Sequence, residues 1–466
     1  MGKISFHVFC IFILFFQIKA TAQIKISAEV QEAIKAAENR SFELKEQDHE
    51  IAKTMIGANK VKHKYIPSLS ITGGIAHFRN EAILDLTPIS LPILPSPIFN
   101  GTQDLSAKGN IMGAGLMAKS VLFSGLQIPK ANKALHTKAE AEKLLRDAKA
   151  ESIAKEILTA LDNLSVLQYV DSLLLESKKR LEVEKKRVDK AIENGLAIPF
   201  DRDKIVLASL ELEAKSKEAE GSRNILLEQL TYLTGFSRDR LMNLTHYFES
   251  IPLLEVNGLQ LNNKKELEAL ELFIEAQEHN VSREQNSILP QIAAFAGLQY
   301  AQLFNSEVTL KSLPLTGNNL SGKLDKLEIA PNWMIGVGLK WEIFEGLQRK
   351  HRIDEAKLDR DLLIEKRKDS EEKLNLLLTK QKSDWQTQSD LVSISQQKLR
   401  ISRQNLDRAI QQYKQGLLSI NDRLGSENDY FTAALDVAKE IAKQRKLSID
   451  LLLTSGNFSE SIDITP

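Results

Sequence analysis

The sequence is almost without cysteine, since only Cys10 is found among its 466 residues. Cys10 lies inside an apolar run at the amino terminus, so we expect the exported chain to contain no thiol. This excludes disulfides, cysteine metal ligands and a cysteine nucleophile. Aromatic residues are also few, at 6%, and lysine plus arginine balance aspartate plus glutamate at 62 each. The balance excludes a global basic field that would gather nucleic acid.

Long apolar runs are missing after the amino terminus. Residues 1–22 contain Lys3, an apolar run from Ile4 to Phe16, and the small-residue site Ala20-Thr21-Ala22. The run is shorter than the roughly 20 residues of a spanning helix, so we expect a signal peptide cleaved between Ala22 and Gln23. Because no later run could span a bilayer as a helix, membrane insertion would require strands in a closed barrel.

Catalytic and metal-binding motifs are missing as well. The eight histidines are scattered, and no HExxH, Gly-x-Ser-x-Gly or Walker sequence occurs. Residues 113–118 formally match a dinucleotide fingerprint, but a strand-like run follows them and no βαβ frame surrounds them. We therefore expect no enzyme activity, no cofactor and no metal site.

What the sequence does contain is an internal repeat. Residues 121–127 read VLFSGLQ and residues 342–348 read EIFEGLQ, so Phe-x-Gly-Leu-Gln recurs 221 residues later. The same offset relates Gly195 to Gly416, Asp201 to Asp422, Leu230 to Leu451 and Gly235 to Gly456, and Pro67 falls two residues short of Pro290. This ordered recurrence indicates a tandem duplication. We expect a first repeat at 23–235, a linker at 236–263, a second repeat at 264–456 and a tail at 457–466.

Each repeat shows the same order of predicted elements. A helix comes first, at 27–64 or 264–288, and Ser27 is its expected N-cap in the first repeat. Two strands follow, predicted at 69–79 and 111–123 and at 291–304 and 332–344. In the last of these, Trp333, Ile335, Val337, Leu339, Trp341 and Ile343 alternate with small or charged residues. Irregular loops are expected between the paired strands, at 81–109 and 305–331, because prolines interrupt them.

A long helix and a shorter returning helix complete each repeat. No glycine or proline occurs between Pro129 and Gly195, and none occurs in the stretch from Arg349 to Gln415. At about 1.5 Å per residue each helix would be roughly 100 Å long. Apolar residues recur at steps of three and four, which is typical of helices packed on helices in coiled coils.

Four strands per chain are too few for a barrel. Closed membrane barrels start at roughly eight strands, and open edges cannot face lipid. Either the strands belong to a soluble sheet or several chains pool them, and three chains would supply twelve. We therefore expect a mainly α fold with membrane β, in which long helical hairpins form a tunnel and four strands per subunit contribute to a trimeric, twelve-stranded barrel.

The ordered landmarks resemble the TolC-type outer-membrane efflux factor family. They are YIPSL before the first strand, LFSGLQ and IFEGLQ at the strand-to-helix junctions, Gly-Leu at 195–196 and 416–417, and LTG or LTSG at the end of each repeat. The resemblance implies a homotrimer in the outer membrane with a tunnel through the periplasm. It further implies a passive exit duct for multidrug efflux or type I secretion, docked to a periplasmic adaptor and an inner-membrane pump.

The resemblance also implies roles for residues at the helix tips. Tyr413 and Asp201 match a tyrosine and an aspartate that hold the periplasmic gate closed, and Asp422 matches an aspartate that rings the entrance. Adaptor docking falls on the tips Gly195, Leu196, Gly416 and Leu417. Leu418 and Gly425 depart from the pattern, where some relatives carry an arginine and a second ring aspartate.

Simpler interpretations stand beside these roles. The two glycines fit helix C-caps, Tyr413 fits a packed seam residue, and Asp201 and Asp422 fit first-turn charges. Trp333 and Trp341 fit either the aromatic girdle of a membrane barrel or the core of a soluble sheet. The main rival function is a periplasmic coiled-coil scaffold or adaptor without a pore. The apolar, proline-rich loop at 84–99 is longer than a tight hairpin requires.

Overall fold

The fold is described from a computed structural model that covers residues 24–85, 87–88, 90, 93, 101–253, 256–261, 263–313 and 317–465. The predicted signal peptide, Cys10, the predicted cleavage site and most of the proline-rich loop lie outside these residues. The described helices include none with an apolar stretch long enough to cross a bilayer.

Eight helices and six strands follow one another along the described residues. The strands are β1 (Ile24–Ser27), β2 (Ser68–Asp85), β3 (Thr102–Phe123), β4 (Gln291–Leu310), β5 (Leu320–Lys340) and β6 (Ile462–Thr465). The helices are α1 (Ala28–Arg40), α2 (Phe42–Lys62), α3 (Gln127–Glu193), α4 (Pro199–Thr234), α5 (Arg238–Met242), α6 (Lys265–Gln285), α7 (Gln348–Lys414) and α8 (Ile420–Ser455).

The sequence repeat is reproduced in the helices. Helices α3 and α7 each contain 67 residues, and α4 and α8 each contain 36. The offset of 221 carries both ends of α3 onto those of α7 and both ends of α4 onto those of α8. Gly235 and Gly456 cap α4 and α8 at φ of 76° and 82°, values in the left-handed region that glycine adopts without a steric penalty.

Two compact units make up the chain. The helical unit consists of residues 1–52, 140–273 and 363–466, and the strand unit consists of residues 53–139 and 274–362. The boundary between them falls within α2, α3, α6 and α7. Each unit therefore contains segments from both sequence repeats.

The core of the helical unit is apolar and includes one element that the sequence analysis missed. Strand β1 pairs in parallel with β6, so Ile24 lies opposite Ile462, and Ile24 and Ile26 are fully buried. Around them pack buried side chains of four helices: Val30, Ala33, Ile157, Leu158, Leu161, Leu230, Ile449 and Leu451. Ser27 then begins α1 as predicted, since its Oγ accepts a hydrogen bond from Val30 N at 3.1 Å.

The strand unit contains one antiparallel sheet in the order β2-β3-β4-β5. Its strands are longer than the predicted ones, so the stretches 81–85, 102–109, 305–310 and 320–331, predicted as irregular, are strand. Strand β5 ends at Lys340 instead of Phe344, because it pairs only with β4, and the first residue of β4, Gln291, lies opposite Lys340. Pro331 falls at a β-bulge of β5, where a missing backbone N–H is tolerated.

The repeated Phe-x-Gly-Leu-Gln motif forms the turn between a strand and a long helix. In the first copy Gly125 and Leu126 have φ of 62° and 61°, and in the second Gly346 and Leu347 have φ of 54° and 69°. Two consecutive residues in the left-handed region reverse the chain tightly, and the glycine removes the steric cost at one of them. The motif recurs because both repeats make the same turn.

The sheet has two chemically different faces. Strand register and alternation place large apolar side chains on one of them, which we call the apolar face: Leu69, Ile71, Leu116, Leu298, Trp333, Ile335, Val337 and Leu339. Small and polar residues share the opposite, polar face: Ser70, Thr72, Gly115, Lys119, Gln299, Asn332 and Lys340. On the apolar face Ile71, Trp333 and Ile335 are 80%, 74% and 76% exposed. A strip of apolar surface this exposed marks a surface that contacts lipid or another protein.

Candidate functional site

The turn between α3 and α4 is built by Gly195. This residue has φ of 69°, and Leu196 N donates to Ala191 O at 2.8 Å, which closes the end of α3. The turn between α7 and α8 repeats the arrangement, with Gly416 at φ of 75° and Leu417 N donating to Gln412 O at 2.9 Å. The glycines are therefore helix C-caps, and the simpler interpretation of them is confirmed.

The same turns expose apolar side chains. Leu196 and Leu417 are 83% and 73% exposed, and Ile198 and Phe200 at the start of α4 are also more than half exposed. We call these four side chains the apolar tips. Exposed apolar groups of this kind provide contact area for a protein partner. The assignment of these tips to adaptor docking stays a prediction.

Asp201 and Asp422 lie in the first turns of α4 and α8. Asp201 Oδ2 accepts from Ile198 N at 3.5 Å, and Asp422 Oδ2 accepts from Ser419 Oγ at 2.6 Å. Ser419 is the N-cap of α8, since its Oγ also accepts from Asp422 N at 3.2 Å. Both carboxylates thus stabilise a helix N-terminus, where the helix dipole favours negative charge. Asp422 is exposed and Asp201 is half-buried.

Tyr413 packs into an apolar cluster next to the turns. The buried members of this cluster are Leu181, Val188, Ile205 and Ile420. Burial raises the pKa of the Tyr413 phenol, and the negative charges of Glu184 and Asp201 raise it further, so the hydroxyl stays protonated. The charge of Asp201 thus acts on the Tyr413 hydroxyl, and Tyr413 is also the packed seam residue that the simpler interpretation predicts.

Leu418 and Gly425, the two departures from the family pattern, leave no charge at their positions. Instead, the structure contains a mostly buried group of polar and charged side chains, which we call the tip network: Ser177, Arg180, Arg423 and Glu427. Arg180 Nη2 lies 2.8 Å from Glu427 Oε1, and Arg423 Nη2 lies 3.3 Å from Glu427 Oε2. Because Arg180 belongs to the first repeat and Glu427 to the second, this contact joins the two helical hairpins.

Two members of the tip network are almost free of solvent, whereas the Arg180 side chain is 27% exposed. The Arg423 side chain is 1% exposed and that of Glu427 is 7% exposed, while Arg423 Nε and Nη1 have no hydrogen-bond partner among the described residues. Burial acts to lower the pKa of Arg180, but the hydrogen bond and charge of Glu427 outweigh it, so the pKa is raised overall. Sequence analysis missed this network, although the i,i+4 spacing of Arg423 and Glu427 was a visible signal.

The two tryptophans lie at the sheet. Trp333 lies in β5 on the apolar face, and Trp341 follows the last residue of that strand. Trp341 is 56% exposed, and its Nε1 donates to Ile288 O at 2.9 Å. Neither tryptophan is buried, so the soluble-core interpretation is wrong for both. Their assignment to a lipid interface stays a prediction.

Strands β2 and β5 are the edges of the sheet, since each pairs with one neighbour only among the described residues. The free edges are 18 and 21 residues long. Long unpaired edges of this kind are templates for pairing with another strand. No three histidine, cysteine or carboxylate side chains of the described residues come together as metal ligands.

Comparison with known proteins adds independent findings. Residues 257–456 match the family model described as outer membrane efflux protein. No curated protein sequence matches the chain. Among solved structures, the fold is similar to the outer membrane protein VceC of Vibrio cholerae, with 16% identity, 92% of this chain and 97% of that chain covered, and a TM-score of 0.65. It is also similar to the open state of the outer membrane channel MtrE of Neisseria gonorrhoeae, with 15% identity, 95% and 96% covered, and a TM-score of 0.64. The outer membrane channel CmeC of Campylobacter jejuni is similar as well, with 14% identity, 92% of this chain and 86% of that chain covered, and a TM-score of 0.64.

Proposed function

We propose that the protein is an exit duct through the outer membrane, from the premise that residues 257–456 match the outer membrane efflux protein family and that the fold is similar to outer membrane channels. The duct is passive and assembles as a homotrimer. It serves an inner-membrane efflux pump or a type I secretion system, to which a periplasmic adaptor connects it. The chain reaches the outer membrane after removal of a signal peptide near Ala22.

The observation that carries this proposal is the pair of free edges on the four-stranded sheet. A sheet in lipid must leave no unpaired backbone groups, so β2 of one copy has to pair with β5 of the next. Three copies give twelve strands, a size within the range of closed membrane barrels.

The two faces of the sheet fit the same assembly. Lipid-facing side chains of a membrane barrel are apolar, and those facing the lumen are polar. The apolar face therefore contacts the hydrocarbon, with Trp333 and Trp341 flanking it as girdle aromatics. The polar face then lines a water-filled lumen with neutral groups such as Thr72 and Gln299.

The helix tips supply the gate and the docking surface of the proposed duct. The apolar tips contact the adaptor, and the copies of Asp422 form an acidic ring that attracts cations. Tyr413 and Asp201 hold the tips closed together with the tip network.

The rival function, a periplasmic scaffold or adaptor without a pore, is not favoured. Such a protein requires long helices, which this chain has, but it does not require a sheet with an exposed apolar face and two free edges. The matches to channels over more than nine-tenths of the chain further support the duct.

Purification of the full chain from membranes tests the proposal. We expect the protein to resist carbonate extraction, to have the mass of three copies in mild detergent, and to conduct ions in planar bilayers. A protein that carbonate removes from the membrane, or a detergent-soluble monomer without conductance, would contradict the duct and favour the scaffold.

A further inference from the structure

A row of cations crosses the sheet beyond its apolar strip. We call it the cationic belt, and it consists of Arg79, Lys108, Lys323 and Lys326. The register places Arg79 opposite Lys108, Lys108 opposite Glu307, and Glu307 opposite Lys323. Lys326 lies one row closer to the apolar strip, opposite Phe304. Each of the four strands therefore contributes a charged residue to this region.

The cationic belt lies on the apolar face. Arg79 and Ile71 are separated by an even number of residues, and β2 pairs with β3 without a bulge, so both side chains point to the same side. The β-bulge between Phe304 and Glu307 in β4 keeps Glu307 on that side. The contact of 3.0 Å between Lys108 Nζ and Glu307 Oε2 agrees with this placement. The cations are thus solvent-exposed on the face that carries Ile71 and Trp333.

The cationic belt has an excess of positive charge. Glu307 pairs with Lys108 at 3.0 Å, and Glu328 pairs with Lys326 at 2.6 Å. Arg79 and Lys323 have no carboxylate within 4.0 Å among the described residues, although Glu307 lies opposite Lys323, so the four cations of the belt outnumber the two carboxylates that pair with them. In the next row Thr309 Oγ1 lies 2.9 Å from Ser321 Oγ, and the carboxylate of Glu81 at the other end of that row lies 3.2 Å from Lys311 Nζ.

The height of the cationic belt matches a membrane interface. The register places Leu339 about ten residues below Ile75, which is roughly 33 Å along a strand or about 25 Å at the usual tilt of barrel strands. Along β2 this equals the apolar band of about 25 Å that membrane barrels present to lipid, whereas along β5 the row of Ile75 contains Glu328, so the apolar strip is shorter there. His77 and Arg79 come directly beyond Ile75. Because β2 starts next to a helix at its other end, the cationic belt belongs to the outer leaflet.

We propose that the cationic belt binds the phosphate groups of a phosphorylated glycolipid in the outer leaflet. This inference rests on the proposed function, because it requires the sheet to be inserted in the outer membrane. Apolar side chains below the cations accommodate acyl chains, and guanidinium and ammonium groups bind phosphate oxygens. The Thr309 and Ser321 hydroxyls above the cations fit the sugar of a glycolipid better than the small headgroup of a glycerophospholipid.

The test uses purified trimers in lipid nanodiscs that contain bisphosphorylated lipid A as the probe, with bound lipid counted by native mass spectrometry. We expect the double variant Arg79→Gln/Lys323→Gln to bind lipid A more weakly, by roughly fivefold for each cation removed. The matched control Lys119→Gln/Lys340→Gln removes two cations from the polar face of the same sheet and should bind as the wild type does. Dephosphorylated lipid A should bind weakly to the wild type and to both variants.

Three outcomes would overturn the proposal: unchanged lipid A binding by the Arg79→Gln/Lys323→Gln variant, an equal loss in the control variant, or equal binding of phosphatidylglycerol. The mass and conductance of the same samples keep this result separate from the proposed function. Conducting trimers without a preference for lipid A would contradict only the proposed role of the cationic belt, whereas monomers without conductance would contradict the proposed duct.

Discussion

At the scale of single residues, the buried charge of Arg423 is the feature with the largest expected energetic effect. Its side chain is 1% exposed, so its guanidinium has lost its hydration shell. Glu427 is the counter-charge, and it also binds Arg180 of the other hairpin. Removing one partner of a buried ion pair leaves an uncompensated charge, which is far more destabilising than the pair itself is stabilising.

We predict that Glu427→Gln destabilises the packing of the two hairpins near the turns by about 3–5 kcal/mol. Hydrogen exchange measured by mass spectrometry should show faster exchange in the peptides around Arg180 and Arg423. The control Glu220→Gln disrupts the exposed pair with Lys217, whose atoms lie 3.0 Å apart, and should leave exchange unchanged. Equal exchange in the Glu427→Gln variant and the wild type would show that the tip network does not hold the hairpins together.

A second prediction at this scale concerns Asp422, and it rests on the proposed function. Asp422→Asn removes the negative charge of the entrance ring but retains an oxygen that can accept from Ser419. We expect weaker block of the channel by divalent cations in planar bilayer recordings, because the ring no longer concentrates them. Asp239→Asn, which neutralises a first-turn aspartate of α5, serves as control. Unchanged block in the Asp422→Asn channel would contradict the assignment of Asp422 to the entrance ring.

At the scale of elements, Gly416 and Gly425 form a matched pair. A Cβ added at either glycine would have no atom within 4 Å, but Gly416 has φ of 75° whereas Gly425 lies inside α8. We expect Gly416→Ala to lower the free energy of unfolding of the turn by about 1–2 kcal/mol, because alanine disfavours the left-handed region. Gly425→Ala should instead raise helix stability by up to about 1 kcal/mol. Chemical denaturation and hydrogen exchange at the turn measure both changes, and destabilisation by Gly425→Ala would contradict the assigned cause.

The long helices α3, α4, α7 and α8 were predictable from the sequence, whereas the strand lengths and the break at Ser41 within the predicted helix 27–64 were not. Glycines that end α3, α4, α7 and α8 recur at a fixed offset, so a local signal marks each end. The stretch from 81 to 109 contains prolines and charges typical of loops, but residues 81–85 and 102–106 pair with each other and extend β2 and β3 into it. Strand β1 has four residues and needs β6 at the other end of the chain, so no local pattern indicates it.

The candidate site shows the same limit. The caps at Gly195 and Gly416 and the first-turn positions of Asp201 and Asp422 follow from local sequence, and the structure confirms them as helix ends. The tip network does not follow, because Glu427, the partner of Arg423, also binds Arg180, which lies far away in the sequence. The apolar and polar faces of β2 and β3 could not be predicted from the sequence either, since the register between strands decides which residues lie opposite one another.

At the scale of the whole molecule, the free edges predict contacts between copies. The mature chain is expected to contain no cysteine, so a single cysteine placed in β2 and another in β5 can be cross-linked without background. We predict that combining Ser70→Cys or Thr72→Cys with Gly338→Cys yields covalent dimers and trimers on oxidation, resolved by denaturing electrophoresis. Cysteine pairs placed in the inner strands β3 and β4 should give cross-links within one copy only. Species larger than three copies, or none above one copy in any combination, would contradict a ring of three.

The free edges of β2 and β5 also impose a constraint on biogenesis. If the proposed ring of three forms, a copy on its way to the membrane exposes unsatisfied backbone along 18 and 21 residues, and these edges are covered only when the last copy closes the ring. Incomplete assemblies therefore stay prone to aggregation and open to chaperones and proteases. Since closure requires three molecules to meet, the yield of finished ducts should fall more steeply than synthesis when expression is reduced.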